Sequence, residues 1–211
     1  MPQQHYFSPV PLVASHPTPV RVVLPDRTLE LLSDRGVFAH GHLDRGTELL
    51  LRSVPPPPDG AQLLDLGCGY GPIAITMALR APASTVWAVD INERARELTV
   101  RNAQGAGADN VTVAAPDAVP DDVMFAALYT NPPVRLGKIP LHALLQRWLR
   151  RLSSGGAGYL VVQRHLGADT LARWLEETGC EVARLRSRQG YRLLQARPGG
   201  SNDHDGGRSA A

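Results

Sequence analysis

The sequence predicts a single α/β domain, with a mostly parallel sheet covered by helices on both faces. From Gln62 onward, short apolar runs alternate with stretches of helical periodicity, which is typical of parallel strands joined by helices. The 211 residues fit one domain, and 43% hydrophobic with 20% charged residues is enough for a sizeable core. We therefore predict a Rossmann-like, doubly wound, seven-stranded sheet with an antiparallel terminal hairpin and a small N-terminal β-hairpin.

Residues 1–58 are predicted to form an arm, a hairpin and one helix ahead of the main domain. Five prolines within residues 1–19 indicate an irregular arm. Residues 20–24 and 28–32 read as strands on either side of Pro25-Asp26-Arg27, a plausible turn. Residues 44–53 have helical spacing, and the four prolines 55–58 end that helix.

Residues 59–197 are predicted to form the main, ligand-binding domain. The last two strands flank Gln189-Gly190, which favours a tight hairpin, and residues 198–211 lack apolar periodicity and predict a flexible tail. In order, the predicted elements are strand 63–66, helix 72–80, strand 86–89, helix 93–104, strands 111–114 and 124–129, helix 141–152, strand 158–163, helix 169–178 and strands 181–185 and 191–195.

A strand that ends in an acid runs into a loop with three glycines, at Asp65-Leu66-Gly67-Cys68-Gly69-Tyr70-Gly71-Pro72. Glycines permit the backbone conformations of a tight turn and let a ligand approach the main chain closely. The spacing G-x-G-x-G differs from the G-x-G-x-x-G of dinucleotide-binding loops, and no Gly-Lys-Ser/Thr follows. A carboxylate two residues before the first glycine suits a ligand with a positively charged amine better than a diphosphate.

Two further acids stand where neighbouring strands end. Asp90 follows strand 86–89 and is placed to accept hydrogen bonds from both ribose hydroxyls of a nucleoside cofactor. Asp117 follows strand 111–114, where its carboxylate can accept from an adenine amino group. Taken alone, Asp117 fits a solvated loop residue better, but its place in a series of strand-end acids favours the adenine role.

The segment Asn131-Pro132-Pro133-Val134 follows the strand at 124–129 and indicates the chemistry. Two prolines fix the backbone, remove two N–H donors and leave carbonyl acceptors at the end of the strand. The Asn131 side-chain oxygen and the Pro132 carbonyl can together accept both hydrogens of an NH₂ group. Such a pair can hold a weakly nucleophilic amine against an electrophile, although Asn-Pro-Pro is also compatible with a purely rigid turn.

In these motifs the sequence resembles class I S-adenosylmethionine-dependent methyltransferases of the small-domain type, and most closely the RsmC-like rRNA guanine-N2 methyltransferases. Residues 36–47 are similar to the segment that packs over the cofactor in that group, residues 131–138 to its extended fourth motif, and Gly190-Tyr191 to its final hairpin. The resemblance implies S-adenosylmethionine as the cofactor, in contact with Thr47, Asp65, Gly67, Cys68, Gly69, Gly71, Asp90, Ile91, Asp117, Ala118 and Asn131.

The resemblance also implies a reaction and a substrate. Asn131, Pro132, Pro133 and Val134 would be catalytic, and the methyl acceptor would be guanine N2 in ribosomal RNA or the small ribosomal subunit. Adenine-N6 and glutamine-N5 relatives usually carry an aromatic residue after the two prolines, so Val134 favours guanine. Methylation of adenine or of a protein glutamine, and a non-catalytic RNA-binding or assembly protein with this fold, stay open as alternatives.

Charge is unevenly distributed along the chain. Residues 1–130 hold nine arginines and fourteen acidic residues, whereas residues 131–200 hold twelve basic and four acidic residues. A basic region of this kind favours a polyanionic partner, although solvated helix faces give similar counts. We predict that Arg135, Lys138 and Arg164 contact RNA phosphates.

Several other classes of protein are disfavoured. No apolar run approaches the ~18 residues of a membrane span, and the N-terminus lacks the pattern of a secretory signal, so we predict a cytoplasmic protein without a membrane partner. Cys68 and Cys180 are far apart, and His40-Gly41-His42 has no further ligands at metal-binding spacing. We predict neither a disulfide framework nor a metal, and the sequence leaves the oligomeric state open.

Overall fold

A computed structural model describes residues 13–199 and contains one seven-stranded sheet, a separate two-stranded hairpin and five α-helices within that range. Short 3₁₀ turns follow two of the strands, at Val134–Leu136 and Arg164–Leu166. The elements are β1 Thr18–Val23, β2 Thr28–Ser33, α1 Arg45–Ser53, β3 Gln62–Leu66, α2 Pro72–Arg80, β4 Thr85–Val89, α3 Glu93–Ala106, β5 Val111–Ala114, β6 Phe125–Thr130, α4 Lys138–Leu149, β7 Leu152–Gln163, α5 Ala168–Glu177, β8 Cys180–Arg188 and β9 Tyr191–Pro198.

The main sheet has the strand order β5-β4-β3-β6-β7-β9-β8; β9 runs antiparallel to both of its neighbours, β7 and β8, and all other pairings are parallel. The predicted α/β class, seven strands and antiparallel terminal hairpin are therefore confirmed, as is the N-terminal hairpin of β1 and β2. The direction of winding reverses between β3 and β6. In open α/β sheets, ligands bind at the carboxyl ends of the strands on either side of such a reversal.

Side chains on the two faces of the sheet enter two apolar clusters. Leu63 of β3 packs with α1, α2, α3 and the N-terminal hairpin, whereas its neighbour Leu64 packs with α4 and α5. Successive residues of a strand point to opposite faces, so a strand buried on both sides is apolar throughout. The hairpin and α1 thus share one core with the main sheet, and Leu31 and Leu50 are fully buried in it.

Most element boundaries agree with the sequence prediction to within two residues, but α4 is shifted. The helix was predicted at 141–152, after Pro140, and it instead spans Lys138–Leu149. Pro140 lies in its first turn, where backbone N–H groups have no partner within the helix, so proline does not interrupt it. Gly137, with φ of 90°, precedes the helix and turns the chain into it.

Strand β7 begins at Leu152, six residues before its predicted start. The Ser-Ser-Gly-Gly segment lies between the predicted helix 141–152 and the predicted strand 158–163. In the structure Leu152 pairs with Phe125, the register then shifts, and pairing resumes at Ala157 opposite Ala127. Gly156 lies where an added Cβ would be 3.0 Å from the Phe125 carbonyl oxygen, so a glycine-containing bulge continues the strand.

The predicted bounds of three strands near the ends of the described range are also wrong by a few residues. Thr18 and Pro19, predicted within an irregular arm, belong to β1, and β8 and β9 are longer than the predicted 181–185 and 191–195. The turn between β8 and β9 has positive φ at Gln189 (49°) and Gly190 (80°), as tight hairpins require. The predictions for residues 1–12 and 200–211 lie outside the described residues.

Within residues 13–199 we find no helix with the length and apolar character needed to cross a bilayer.

Candidate active site

Two loops leave the sheet side by side where its winding reverses. The glycine loop follows β3, and the Asn-Pro-Pro segment follows β6, the neighbouring strand. Thr130 Oγ1 donates to the Leu66 carbonyl at 2.8 Å and ties the ends of these two strands together. The geometry brings the two strongest sequence motifs to one edge of the sheet.

The glycine loop is held in a conformation that favours glycine at alternate positions. Gly67, Gly69 and Gly71 have φ of 79°, 58° and 92°, values that side chains other than glycine rarely adopt. The backbone N–H groups of Gly67 and Cys68 donate to the Val89 carbonyl at 2.8 and 3.1 Å. The loop is therefore fixed against the end of β4. A Cβ added at Gly67 would have no atom within 4 Å, so the space beside this glycine is open.

Asp65 is fully buried beneath this loop. Its Oδ2 accepts from the backbone N–H of Ala74 in the first turn of α2 at 2.9 Å, while Oδ1 is buried without a hydrogen-bond partner among the described residues. Burial raises the pKa of the Asp65 carboxyl to about 8. Asp65 does not itself line the cavity in front of the loop, so its predicted contact with a ligand amine stays a prediction.

Asp90 lies at the end of β4 with both carboxylate oxygens engaged. Oδ2 accepts from the Gly69 N–H and Oδ1 from the Asn92 N–H, each at 2.9 Å. Burial raises the pKa of the Asp90 carboxyl. Each oxygen of an ionised carboxylate can accept a second hydrogen bond, so the pair retains the capacity to bind two hydroxyls.

The other residues predicted to contact the cofactor are more exposed. Ile91 is 45% exposed, and Ala118 lines a shallow groove beside α3 and β5. The side chain of Asp117 is 90% exposed and forms an ion pair with Arg147 of α4 at 3.0 Å. An adenine contact by Asp117 stays a prediction, and this ion pair would compete with it.

Asn131 is the first residue after β6, and its side-chain nitrogen is bound by α1. Nδ2 donates to Asp44 Oδ2 at 2.7 Å and to Thr47 Oγ1 at 3.1 Å. The Pro132 carbonyl accepts from the Val134 N–H at 2.8 Å, which leaves one of its two lone pairs. Pro133 and Val134 begin the short 3₁₀ turn that leads into α4.

A single cavity joins the two motifs. Gly67, Cys68 and Gly69 form one wall, Asn131 lies on another, and residues from the segment before α1 complete it: Phe38, Ala39, Leu43, Asp44 and Thr47. The segment 36–47 thus lies over the glycine loop. Of the predicted RNA contacts, Arg135 and Lys138 follow Asn131 directly and Arg164 follows β7 at the same edge of the sheet, and all three side chains are exposed.

Sequence reasoning did not single out Asp44 and Tyr191 as functional residues. Asp44 contacts Asn131 across 87 positions of the chain, and Tyr191 OH lies 3.5 Å from Asp44 Oδ1 across 147 positions. Asp44 does carry a local signal, since aspartate is a preferred helix N-cap, but that signal predicts the start of α1 and not the partner across the cavity.

The family model of the methyltransferase small domain matches residues 28–195. The chain belongs to this family. The protein is a class I S-adenosylmethionine-dependent methyltransferase, which confirms the family and the cofactor predicted from the sequence.

Relatives include a protein matched over nearly its full length and longer proteins matched over about half of theirs. The methyltransferase is 34% identical over 197 residues to the uncharacterized protein YbxB of Bacillus subtilis (strain 168), covering 92% of this chain and 98% of YbxB. It is 37% identical over 143 residues to ribosomal RNA small subunit methyltransferase C of Hahella chejuensis, covering 66% of this chain and 42% of that protein. The chain spans about half the length of the RsmC relatives it matches.

Several solved structures have a similar fold, and one of them is a methyltransferase from T. thermophilus. The 16S rRNA N2 G1207 methyltransferase RsmC of T. thermophilus, in complex with AdoMet and guanosine, superposes with a TM-score of 0.74 at 23% identity, covering 89% of this chain and 52% of RsmC. At 23% sequence identity, this likeness shows a shared fold only.

The residues of this methyltransferase fit the family's cofactor on their own chemistry. The unpaired buried oxygen of Asp65 suits a nearby cationic amine, and the spare lone pairs of Asp90 suit ribose hydroxyls. The positive φ angles of the glycine loop leave backbone open to a ligand at Gly67.

Proposed function

We propose that this protein is an N-methyltransferase that acts on an exocyclic amine of RNA, with guanine N2 in ribosomal RNA as the favoured acceptor. The observation that carries the proposal is that Asn131 and the glycine loop line one cavity. A cofactor at the loop and an amine at Asn131 would therefore lie next to each other in one pocket, which is the arrangement that transfer of a group between them requires.

The chain's own residues would bind and orient the amine. S-adenosylmethionine, when bound, supplies an electrophilic methyl group attached to a positively charged sulfur. Asn131 Oδ1 and the remaining lone pair of the Pro132 carbonyl would accept the two N–H groups and hold the nitrogen as it turns from planar to tetrahedral. A strong base is not needed, because the alkylated nitrogen is acidic and loses its proton to water.

Three observations support guanine in ribosomal RNA. Val134 follows the two prolines in place of an aromatic residue, and relatives at 32–37% identity carry the name ribosomal RNA small subunit methyltransferase C. Exposed basic residues also follow the Asn-Pro-Pro segment along the chain. A guanine in a helix would have to be extruded to reach the cavity. Arg135, Lys138 and Arg164 would contact phosphates of the RNA or of the small subunit, in the cytoplasm.

The experiment that tests the proposal is transfer of labelled methyl to small ribosomal subunits, free rRNA, tRNA and a protein extract in parallel. Nucleoside and amino-acid analysis then identifies the product. We expect N2-methylguanosine in rRNA. Label in N6-methyladenosine or methylglutamine would overturn the guanine assignment, and no label in any substrate would favour a non-catalytic RNA-binding role.

The Asn131→Ala variant tests the role of the amine-binding oxygen in the same assay. Removing Asn131 Oδ1 should reduce turnover at least ~100-fold while cofactor affinity stays within about threefold, because one oriented acceptor contributes mainly to the reacting geometry. Gln146→Ala, which removes an exposed amide from α4, is the matched control and should be fully active. Full activity of Asn131→Ala would contradict the assignment.

A further inference from the structure

The amide of Asn131 has one orientation that satisfies its neighbours. An aspartate carboxylate offers acceptors alone, so the atom 2.7 Å from Asp44 Oδ2 must be the Asn131 nitrogen. Its second hydrogen is directed to Thr47 Oγ1 at 3.1 Å. No side chain or backbone group among residues 13–199 donates to Asn131 Oδ1, so the oxygen is left available on the other side of the amide.

Asp44 achieves this while it also begins a helix. The same Oδ2 accepts from the Thr47 N–H at 2.9 Å and caps the N-terminus of α1. α1 is packed into the core through Leu50 and Leu51, which are fully buried. The carboxylate is thus fixed relative to the sheet from which Asn131 projects.

Tyr191 at the start of β9 holds the other side of the carboxylate. Gln163 Nε2 donates to the Tyr191 hydroxyl oxygen at 2.6 Å, so the hydroxyl proton is free to point toward Asp44 Oδ1 at 3.5 Å. The ring packs directly on Gly46, where an added Cβ would lie 2.7 Å from Tyr191 Cε1. A glycine at position 46 is therefore what allows the tyrosine to reach the start of α1.

We propose that Asp44, supported by Tyr191, is a positioning residue that keeps the Asn131 oxygen turned toward the amine to be methylated. The inference rests on the proposed function, because it assigns the reason why Asn131 can act as an acceptor. Without the carboxylate the amide could rotate and present N–H groups to an amine that itself presents N–H groups, and two donors cannot bond. The negative charge also polarises the amide and strengthens its oxygen as an acceptor.

Two substitutions of Asp44 separate orientation of the amide from capping of the helix. Serine and asparagine cap helices about as well as aspartate, so Asp44→Asn should melt within about 2 °C of the wild type, and Asp44→Ser within about 5 °C because it also loses the hydrogen bond to Asn131. Asp44→Ser cannot reach Asn131 and should lower kcat about 10- to 100-fold, with KM for RNA and cofactor affinity within about threefold. Asp44→Asn retains an oxygen facing Asn131 and should keep several times the activity of Asp44→Ser.

Tyrosine variants provide a matched pair. Tyr191→Phe removes the hydroxyl that faces Asp44 and should lower kcat about threefold. Tyr159→Phe removes a hydroxyl that also binds a glutamine amide, that of Gln195 at 3.2 Å, but lies outside this network, and it should behave as the wild type. Wild-type turnover by Asp44→Ser, or equal losses in Asp44→Ser and Asp44→Asn, would overturn the proposal.

A spectroscopic measurement keeps the inference independent of the substrate. The two side-chain Nδ2 proton resonances of Asn131 should move toward unbonded values in Asp44→Ser, and much less in Asp44→Asn, with the other side-chain amides unchanged. Unmoved resonances in Asp44→Ser would refute the positioning role. If the wild type methylates no substrate, the proposed function fails, and these resonances alone decide whether Asp44 orients Asn131.

Discussion

Asp65 and Asp90 end neighbouring parallel strands, yet their hydrogen-bond environments differ. Among residues 13–199, Asp90 has a donor for each carboxylate oxygen, whereas Asp65 has a single donor and one oxygen buried without a partner. Burial disfavours the charged form of both, and for Asp65 it raises the pKa to about 8. Burial therefore favours the protonated form of Asp65 in the ligand-free protein, while a cationic amine bound nearby would favour its ionised form.

This difference predicts proton release on cofactor binding. At pH 7 we expect up to about one proton to leave per S-adenosylmethionine bound, because the cation lowers the pKa of Asp65. Calorimetry in buffers of different ionisation enthalpy measures the number released. Asp65→Asn mimics the protonated acid, keeps an oxygen for Ala74 N–H and should release none; equal release by both proteins would assign the proton to another group.

The same pKa predicts how stability changes with pH in the ligand-free protein. A carboxyl whose folded pKa lies above its unfolded value near 4 makes the folded state bind the extra proton between these two values. The Asp65 contribution to the free energy of unfolding is therefore present below pH 4 and declines as pH rises toward 8. Denaturation of the wild type and Asp65→Asn across this range measures it, and parallel curves would contradict the pKa.

At the scale of elements, α3 attaches the N-terminal hairpin to the glycine loop. Asn102 Oδ1 accepts from the Leu32 N–H, and its Nδ2 donates to the carbonyls of Leu32 and Tyr70, all at 2.8 Å. Asn102 is 4% exposed, and Leu32, which supplies two of these backbone groups, is half-buried. One side chain thus satisfies backbone groups of β2 and of the loop that follows β3.

Asn102→Ala should therefore be strongly destabilising. It leaves the buried Tyr70 carbonyl and two backbone groups of half-buried Leu32 without their partner, and we expect a loss of about 2 kcal/mol in the free energy of unfolding. Gln104→Ala changes an exposed amide on the same helix and should stay within about 0.5 kcal/mol. Urea denaturation of the two variants measures the difference, and a loss below about 1 kcal/mol for Asn102→Ala would show that water replaces the missing bonds.

The elements also show where sequence patterns are sufficient. Helix α2 and strand β5 match their predicted bounds, since Pro72 marks a helix start and apolar runs between polar loops mark strands. The predicted bounds were wrong at Pro140 and at the Ser-Ser-Gly-Gly bulge. Proline and glycine usually interrupt a helix or strand, but Pro140 lies in the first turn of α4 and the glycines lie at a bulge in β7, where neither ends the element. The bonds of Asn131 to Asp44 and of Asn102 to Leu32 join distant segments, and no local pattern encodes such pairs.

At the scale of the whole molecule, the basic half of the chain supplies residues to both edges of the main sheet. Arg135 and Lys138 lie at the carboxyl edge beside Asn131, whereas Arg150 at the end of α4 and Arg197 near the end of β9 lie toward the opposite edge. α4 has twelve residues, which separates its two ends by about 18 Å. Formal charge alone thus cannot say which edge meets RNA, but paired substitutions of equal charge can.

The proposed RNA contact predicts a salt dependence that is specific to the carboxyl edge. Each phosphate contact contributes about 0.7 to the slope of log affinity against log salt for single-stranded RNA. The double variant Arg135→Glu with Lys138→Glu should lower that slope by about 1.4 and weaken binding at least tenfold near 0.1 M salt. The control, Arg150→Glu with Arg197→Glu, changes the net charge equally. It should leave the slope within about 0.3 of the wild-type value. Filter binding of an rRNA fragment over a salt series measures both. Equal reductions in the two double variants would mean that the protein's overall charge attracts RNA and that Arg135 and Lys138 make no phosphate contact.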